Sequence, residues 1–442
     1  MFTKKEIRAL LVPLILEQIL TGLMGMADTF MVSNVSEAAI SGVALVDSLN
    51  LLVLYFFSAL GAGGTIVCAQ YIGHGDNRKA NRASGQVMMA GLALSLVFCI
   101  IFTTMRRPVL GLIFGTVETA VMDSAGIYLL VTALSYPFLA VYTISASLHR
   151  AMGNSRRPML VAAATDLLNV AGNAVLIFCL HMDVLGAALA TLASRIVGAA
   201  VMLWYQAKPG QVISLGDVRL LRPDGAMLKR ILRVGIPSAV ENGMFQFGKL
   251  VIQSTVATLG TTAIAAQAVI STIDNFAAMP GMAIGTGLVT VTGQCMGSGR
   301  VDEARRNINY FVRCSTLSTV IMAVLASLLA PSTGSFTALS KESVALVCQI
   351  LWVMSVLRVI LWPSAFTLPN GLRAAGDVSF CMWVSTISMW VFRVGLSYYL
   401  CRYTLVGLWG IWIGWFADWI VRMILFKIRF RSGKWEMKKV LD

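Results

Sequence analysis

Apolar residues run along this chain in twelve long blocks, roughly 9–33, 47–71, 84–104, 121–142, 159–180, 185–206, 235–259, 264–294, 309–330, 344–367, 378–400 and 406–426. Each holds about the 20 residues that an α-helix needs to cross a bilayer core. Several, the second and eighth especially, exceed that minimum and predict a tilted or kinked helix. Polar residues collect in the short joints between blocks. The pattern defines an all-α membrane protein of 12 transmembrane helices.

The blocks repeat. A shift of 224 positions lays "PLILEQ" (13–18) on "PSAVEN" (237–242), and Gly61, Gly63, Gln70, Gly73, Gly75, Ala80 and Arg82 on Gly285, Gly287, Gln294, Gly297, Gly299, Ala304 and Arg306. At a shift of 223, "HRAMGN" (149–154) matches "LRAAGD" (372–377). Such self-similarity marks duplication of a six-helix unit. Six is even, so both copies enter the membrane the same way and form two parallel lobes about an axis along the membrane normal. Residues 1–207 make the N-terminal lobe, 208–230 a polar, basic cytoplasmic linker, and 231–442 the C-terminal lobe with its basic tail. Two such lobes can rock about a central cavity, which gives alternating access.

Composition agrees. The chain is 57% hydrophobic and 13% charged, about half the charge of a soluble domain. The net charge of +14 does not signal nucleic acid. With a cytoplasmic N-terminus, 25 of the 35 Lys and Arg fall on the inner side, and only Arg106, Arg107, Lys341 and Arg402 fall outside. The positive-inside rule then puts both termini in the cytoplasm and the protein in the cytoplasmic membrane. The first apolar block is too long for a signal peptide and counts as helix 1. Eight scattered cysteines form no Cys-x-x-Cys pair and read as small core residues. No zinc-ligand cluster or nucleophile elbow is visible, and His74, His149 and His181 sit at loops or helix ends. An enzyme is excluded on this reading, no cofactor is expected, and the short loops leave no room for a sensing domain.

Charges inside apolar blocks are the candidate chemistry, because a membrane acid is expensive and marks ion or substrate pathways. Asp28 is such an acid. Glu17 lies 11 residues earlier, on the same helix face and roughly 16 Å away. Pro13 lacks a backbone N–H and predicts a bend in helix 1. In helix 5, Asp166, Asn169 and Asn173 share one face, and Thr191 on helix 6 adds a hydroxyl. A carboxylate ringed by amides and a hydroxyl can take a proton or hold Na+ through oxygen ligands. Either event changes the local charge by one unit and biases the lobe's conformation. The two Asn and Thr191 read equally as interhelical hydrogen-bonding glue.

The chain resembles the multidrug and toxic compound extrusion (MATE) transporters over essentially its whole length. The resemblance is carried by "MADTFMVSNVSEAAISGVAL", "QYIGHGDNRKANRASG", "HRAMGNSRRPM", "GIPSAVENGMFQFGKLVIQSTVATLGTTAIAAQAV", "GQCMGSGRVDEARRN" and "LPNGLRAAGD", in order and at repeat spacing. The major facilitator superfamily is set aside because "GHGDNRKANR" lacks that superfamily's second glycine. Resemblance to MATE implies a V-shaped pair of lobes and export of organic cations in exchange for H+ or Na+. It places Asp28 on the family's helix 1 carboxylate, Pro13 on the proline where that helix bends, and Asn169 and Thr191 on the first-lobe cation network. Three positions depart: Asn173 stands where archaeal-type members have a second Asp, Ala146 where an Asn is expected, and Met24 where some carry Tyr. No metal is expected apart from Na+ at Asp28.

The second lobe is not a copy at this site. Ile252 stands at the repeat position of Asp28, and Glu241 mirrors Glu17. Some MATE members bind Na+ in this lobe through a helix 7 Glu and a helix 10 Asp; here Phe245 stands at the first position and helix 10 has Arg358 and no Asp, so that site looks absent. Lys249 is placed to pair with Asp274 or Glu241. Lys249 and Arg393 either repel cations from the cavity or are inert ion-pair members, the second being favoured. Substrate-cavity candidates are Met24, Gln70, Phe245, Lys249, Asp274 and Arg393, in a lining that 23 methionines make adaptable. "GAGGT" and "AIGTGL" read as close helix packing. The expected protein is a monomeric, cation-coupled exporter of small organic cations, embedded in lipid. In its cycle a cation binds Asp28 from outside, helix 1 bends near Pro13, the first-lobe cavity narrows and substrate leaves outward, with Glu17, Glu241 and Pro13 as gating elements. The rival is a flippase for a lipid-linked precursor, which needs cationic groups such as Lys249, Arg195, Arg358 and Arg393 to hold phosphate.

Overall fold

A computed structural model describes residues 2–33, 35–115, 118–208, 210–215, 220, 222–333, 340–438 and 440–441. The described residues are helical almost throughout, with no strand among them. They fall into two compact units, residues 4–236 and 237–442.

The first unit opens with α1 (Lys4–Ser33), a single helix that runs through Pro13, followed by α2 (Glu37–His74) and α3 (Asn77–Thr104). A short α4 (Arg106–Phe114) follows, outside the twelve expected blocks. The expected span at 121–142 is divided instead into α5 (Thr119–Leu134) and α6 (Tyr136–Ala151), bent by 51°. Pro137 is the cause: it cannot donate to the carbonyl of Ala133, so the helical ladder opens at Ser135. Then come α7 (Arg156–Asn173), a π-helical turn (Ala174–Cys179) and α8 (Asp183–Ala207). The second unit contains most of α9 (Gly225–Ala257), then α10 (Thr261–Gly297), α11 (Val301–Leu329) and α12 (Lys341–Trp362). A π turn (Pro363–Thr367) leads into α13 (Leu368–Ala374). Next, α14 (Val378–Ser388) passes through another π segment (Met389–Leu396) into α15 (Ser397–Tyr403), and α16 (Trp409–Arg431) closes the unit.

Among the described residues nine helices are long and apolar enough to cross a membrane, ten with the bent α5–α6 pair. The other two expected spans are also long helices, α9 and α16, but they carry charge along their length: Glu241 and Lys249 on α9, Asp418 and Arg422 on α16.

The duplicated motifs do the same work in both units. Gly75 and Gly299 end α2 and α10 with φ of 81° and 73°, and Gly153 and Gly376 follow the two "RA" motifs with φ of 81° and 103°. These are left-handed conformations that favour glycine. The apolar glycine runs are close-packing sites: a Cβ on Gly61 would lie 2.7 Å from the Ser147 hydroxyl, and one on Gly285 2.4 Å from the Asn370 amide. At the turn after α2, Asp76 accepts the Lys79 backbone N–H at 2.9 Å, which holds its carboxyl below the usual carboxylate range. That cap is fully present above the ordinary Asp range and weakens as pH falls through the lowered value.

The described part of the 208–230 segment is bound to the first unit rather than slack. Gln86 of α3, fully buried, donates to the carbonyls of Leu220 (3.1 Å) and Arg222 (2.7 Å) and accepts the Asp224 N–H (2.8 Å). Asn81 donates to the Val212 carbonyl and accepts the Ser214 N–H, and Arg82 pairs with Asp224 at 2.7 Å. The boundary between compact units therefore falls at Pro237, inside α9, and not in the polar segment. Replacing Gln86 by Ala strands three backbone groups, at a cost of ~1–3 kcal/mol each if they stay buried. Limited trypsinolysis of the folded protein is expected to cut this segment at least ~10-fold faster in Gln86→Ala than in wild type.

Candidate functional site

Three helices of the first unit meet at Asp28. The Nδ2 of Asn173, at the end of α7, donates to the Asp28 carboxylate of α1. The same amide lies 3.4 Å from the Asn169 oxygen, and the Asn169 Nδ2 donates to the Thr191 hydroxyl of α8 at 3.3 Å. Thr191 in turn donates to the Ala187 carbonyl at 3.0 Å. Asn169 and Asn173 share a face because they are one turn apart, and the π turn that follows Asn173 is the kind of ladder defect found at functional sites. Asn173 is fully buried, and its side-chain oxygen has no hydrogen-bond partner among the described residues. An orphaned buried carbonyl oxygen beside a carboxylate suits a hard cation such as Na+, which takes oxygen ligands. A proton on Asp28 suits the same place. Asp166, one turn before Asn169 in α7, accepts instead from Thr21 at 3.3 Å. Met24, half-buried, lies one helical turn from Asp28 on α1.

A second acid near this network is not apparent from the motifs. Asp47 of α2 accepts from Asn50 at 3.2 Å, and the Tyr136 hydroxyl donates to the Asn50 oxygen at 3.0 Å. Tyr128 of α5 is buried in the apolar core of the first unit. Arg195 of α8 donates to Ser135 at 2.6 Å, at the break between α5 and α6. Asp47, Asn50, Leu51, Leu54, Leu139 and Arg195 line a cavity of about 230 Å³. Asp47 was legible only as a charge at the edge of an apolar block.

Glu17 and Glu241 have the same partner in their two units. Glu17 pairs with Arg150, and Glu241 with Arg373 at 2.5 Å. Each arginine belongs to the duplicated "RA" motif and each glutamate to the duplicated Pro-x-x-x-Glu motif, so the two repeats together contain the pairing. Gln70 is buried, with 4% of its surface exposed, in α2, which packs on α3 and α6.

In the second unit the expected partners of Lys249 are taken by arginines. Asp274 accepts from Arg358 at 2.5 Å through its carboxylate and at 3.1 Å through its backbone oxygen. Lys249 makes no ion pair within 4 Å among the described residues; its ammonium stands 5.0 Å from the Phe245 ring centre. A guanidinium can hold carboxylate and carbonyl at once where a lysine cannot. Arg393 is an ion-pair member: it and Arg422 both bind Asp418, at 2.8 and 2.7 Å, and Ser388 donates to the same carboxylate at 2.7 Å. Arg393 also lies over the rings of Trp415 (4.4 Å) and Phe245 (5.2 Å). Ile252, the repeat position of Asp28, is core. Arg358 and Arg393, both buried, are thus committed to protein carboxylates and not held open for a phosphate.

A duplicated helical membrane protein with a polar ion network in one unit is the architecture of a secondary transporter. The chain belongs to the MATE family of transporters: the MatE family model matches residues 13–175 and again 237–399, the shift of 224 seen in the motifs. It is 30% identical to the probable multidrug resistance protein NorM of Thermotoga maritima, covering 99% of this chain and 94% of that protein. It is 29% identical to the uncharacterized transporter YisQ of Bacillus subtilis, over 96% of this chain and 94% of the other. Among solved structures, a MATE crystallised in complex with MaL6 superposes with a TM-score of 0.90 at 21% identity, over 98% of this chain and 97% of that one. The fold is therefore that of a MATE protein, in a multi-pass membrane chain.

Proposed function

We propose that the protein exports drugs, chiefly small organic cations, across the cytoplasmic membrane in exchange for H+ or Na+ bound at Asp28. The observation that carries this reading is the Asp28–Asn173–Asn169–Thr191 network, which joins α1, α7 and α8 through one ionisable group. Its relatives, among them a probable multidrug resistance protein and the multidrug export protein MepA of Staphylococcus aureus, suggest the substrate class.

While Asp28 is ionised, its bond from Asn173 is charge-assisted and ties α1 to α7. A proton or Na+ arriving from outside neutralises the carboxylate and weakens that bond, a change worth about 1–3 kcal/mol. This shifts the balance between two conformers by roughly five- to a hundredfold. Pro13 is the compliant point in α1, since it lacks a backbone donor. Alternating access follows when the neutral state favours outward release and the ionised state favours loading from the cytoplasm, the monomer working with both termini inside.

Everted vesicles carrying the full chain test this with ethidium as the fluorescent cation. An imposed pH gradient or an imposed Na+ gradient is expected to drive ethidium accumulation above that of vesicles lacking the protein, and the effective gradient names the ion. Accumulation under neither gradient overturns the reading.

A further inference from the structure

We propose that the first-unit cavity lined by α2, α6 and α8 binds a small zwitterion, its ammonium on Asp47 and its carboxylate on Arg195. This goes beyond the exporter reading, which neither requires the cavity nor names a ligand carrying both charges. One stripe of α2 supplies most of the lining: Asp47, Asn50, Leu51 and Leu54 stand at i, i+3, i+4 and i+7 and share a helix face. Leu139 of α6 and Arg195 of α8 complete it.

Both charges are held in place, but not by each other. The Tyr136 hydroxyl donates to the Asn50 oxygen at 3.0 Å, which orients the amide so that its Nδ2 donates to Asp47 at 3.2 Å. Arg195 donates through Nη1 to the hydroxyl oxygen of Ser135 at 2.6 Å, and Ser135 is fully buried. Among the described residues neither Asp47 nor Arg195 has an ion pair within 4 Å; their anchors are neutral. A guanidinium carries several N–H donors, and Ser135 takes one of them. Each group therefore keeps its charge for a ligand. The second unit is the contrast: Arg358 and Arg393 lie directly on Asp274 and Asp418, at 2.5 and 2.8 Å.

Charge selects the ligand. A plain cation drawn to Asp47 shares the cavity with a guanidinium, and a plain anion drawn to Arg195 shares it with a carboxylate. Either leaves one charge uncompensated, which is costly inside a membrane. A zwitterion neutralises both at once. Its carboxylate suits the fork of Arg195 and its ammonium donates to Asp47, so both contacts are charge-assisted. The three leucines cover an apolar body. The cavity holds about 230 Å³. Drug-sized sites run to about 300–1,000 Å³, so the ligand that fits is smaller, on the scale of a single aromatic amino acid.

The test uses probes that share a phenylethyl body and differ in charge. L-phenylalanine carries both groups, phenethylamine lacks the carboxylate, and 3-phenylpropionate lacks the ammonium. Binding of tritiated phenylalanine to the purified full chain is followed by scintillation proximity at neutral pH, with each probe as unlabelled competitor. Phenylalanine is expected to compete at least ~10-fold more effectively than either relative, because a hydrogen bond to a charged group is worth about that factor. Arg195→Gln is expected to abolish the advantage over phenethylamine and keep that over 3-phenylpropionate, and Asp47→Asn to do the reverse. The discrimination that each variant keeps shows that it is folded, and the wild-type comparison decides alone where one misfolds. Absence of phenylalanine binding, a relative that competes as well as phenylalanine in wild type, or discrimination that neither substitution alters, overturns the inference. None of these outcomes touches the exporter reading, which fails instead when neither gradient drives ethidium accumulation.

Discussion

Asp28→Asn is expected to bring gradient-driven ethidium accumulation in vesicles down to the level of vesicles without the protein, while leaving ethidium binding within about threefold of wild type. The substitution is nearly isosteric, and the new amide still presents an oxygen to the Asn173 N–H, so α1 stays joined to α7. What is lost is the ability to change charge. A ligand shifts a conformational equilibrium only by its differential affinity for the two states, and an amide has no differential affinity for a proton and far less than a carboxylate for Na+. Transport driven by a gradient therefore stops although the fold and the drug site persist. Asn173→Ala is the milder change: it removes one tie and one oxygen ligand but keeps the acid.

The second large effect is on folding. Asp418→Asn leaves Arg393 and Arg422, each with no more than 3% of its surface exposed, facing an uncharged group. Removing one partner from a buried pair costs about 3–5 kcal/mol, because a charge is left without compensation, and here one carboxylate serves two guanidiniums and a serine. For a unit of this size each kcal/mol is worth ~2–4 °C, so melting followed by fluorescence-detected size exclusion is expected to fall by roughly 10 °C. A fall below about 2 °C would mean that water or lipid headgroups already screen the cluster. The double variant Asp418→Asn with Arg393→Met is expected to recover part of the loss, which separates charge from packing.

Much of this protein was legible in its pattern. The repeated glycines stand where left-handed helix ends and close helix packing require them, and the twelve apolar blocks are helices. The split of the fourth block was foretold by Pro137, which the apolar count passed over. The pairs Glu17–Arg150 and Glu241–Arg373 were legible in principle, since both partners sit in duplicated motifs, but pairing across some 130 residues is a tertiary fact that periodicity does not contain. Asp28, Asn169, Asn173 and Thr191 could be grouped because each lies on a helix face that a neighbouring helix must cover. Asp47 could not, because the residues around it, Asn50 and through it Tyr136 on α6, come together only in the fold. The partners of Lys249 were misassigned for a related reason: helix position shows which charges are near in sequence, whereas the choice between arginine and lysine is made by geometry across helices.

The most direct test of ion coupling at Asp28 is the ethidium dissociation constant of the purified full chain, measured as the coupling ion is raised from absent to saturating, for wild type beside Asp28→Asn. Antiport through Asp28 predicts that the wild-type constant rises by roughly tenfold, as two ligands favouring opposite conformers must oppose each other, and that the variant's constant stays flat. A wild-type constant unmoved by H+ and Na+, or a variant that responds as wild type does, would contradict it.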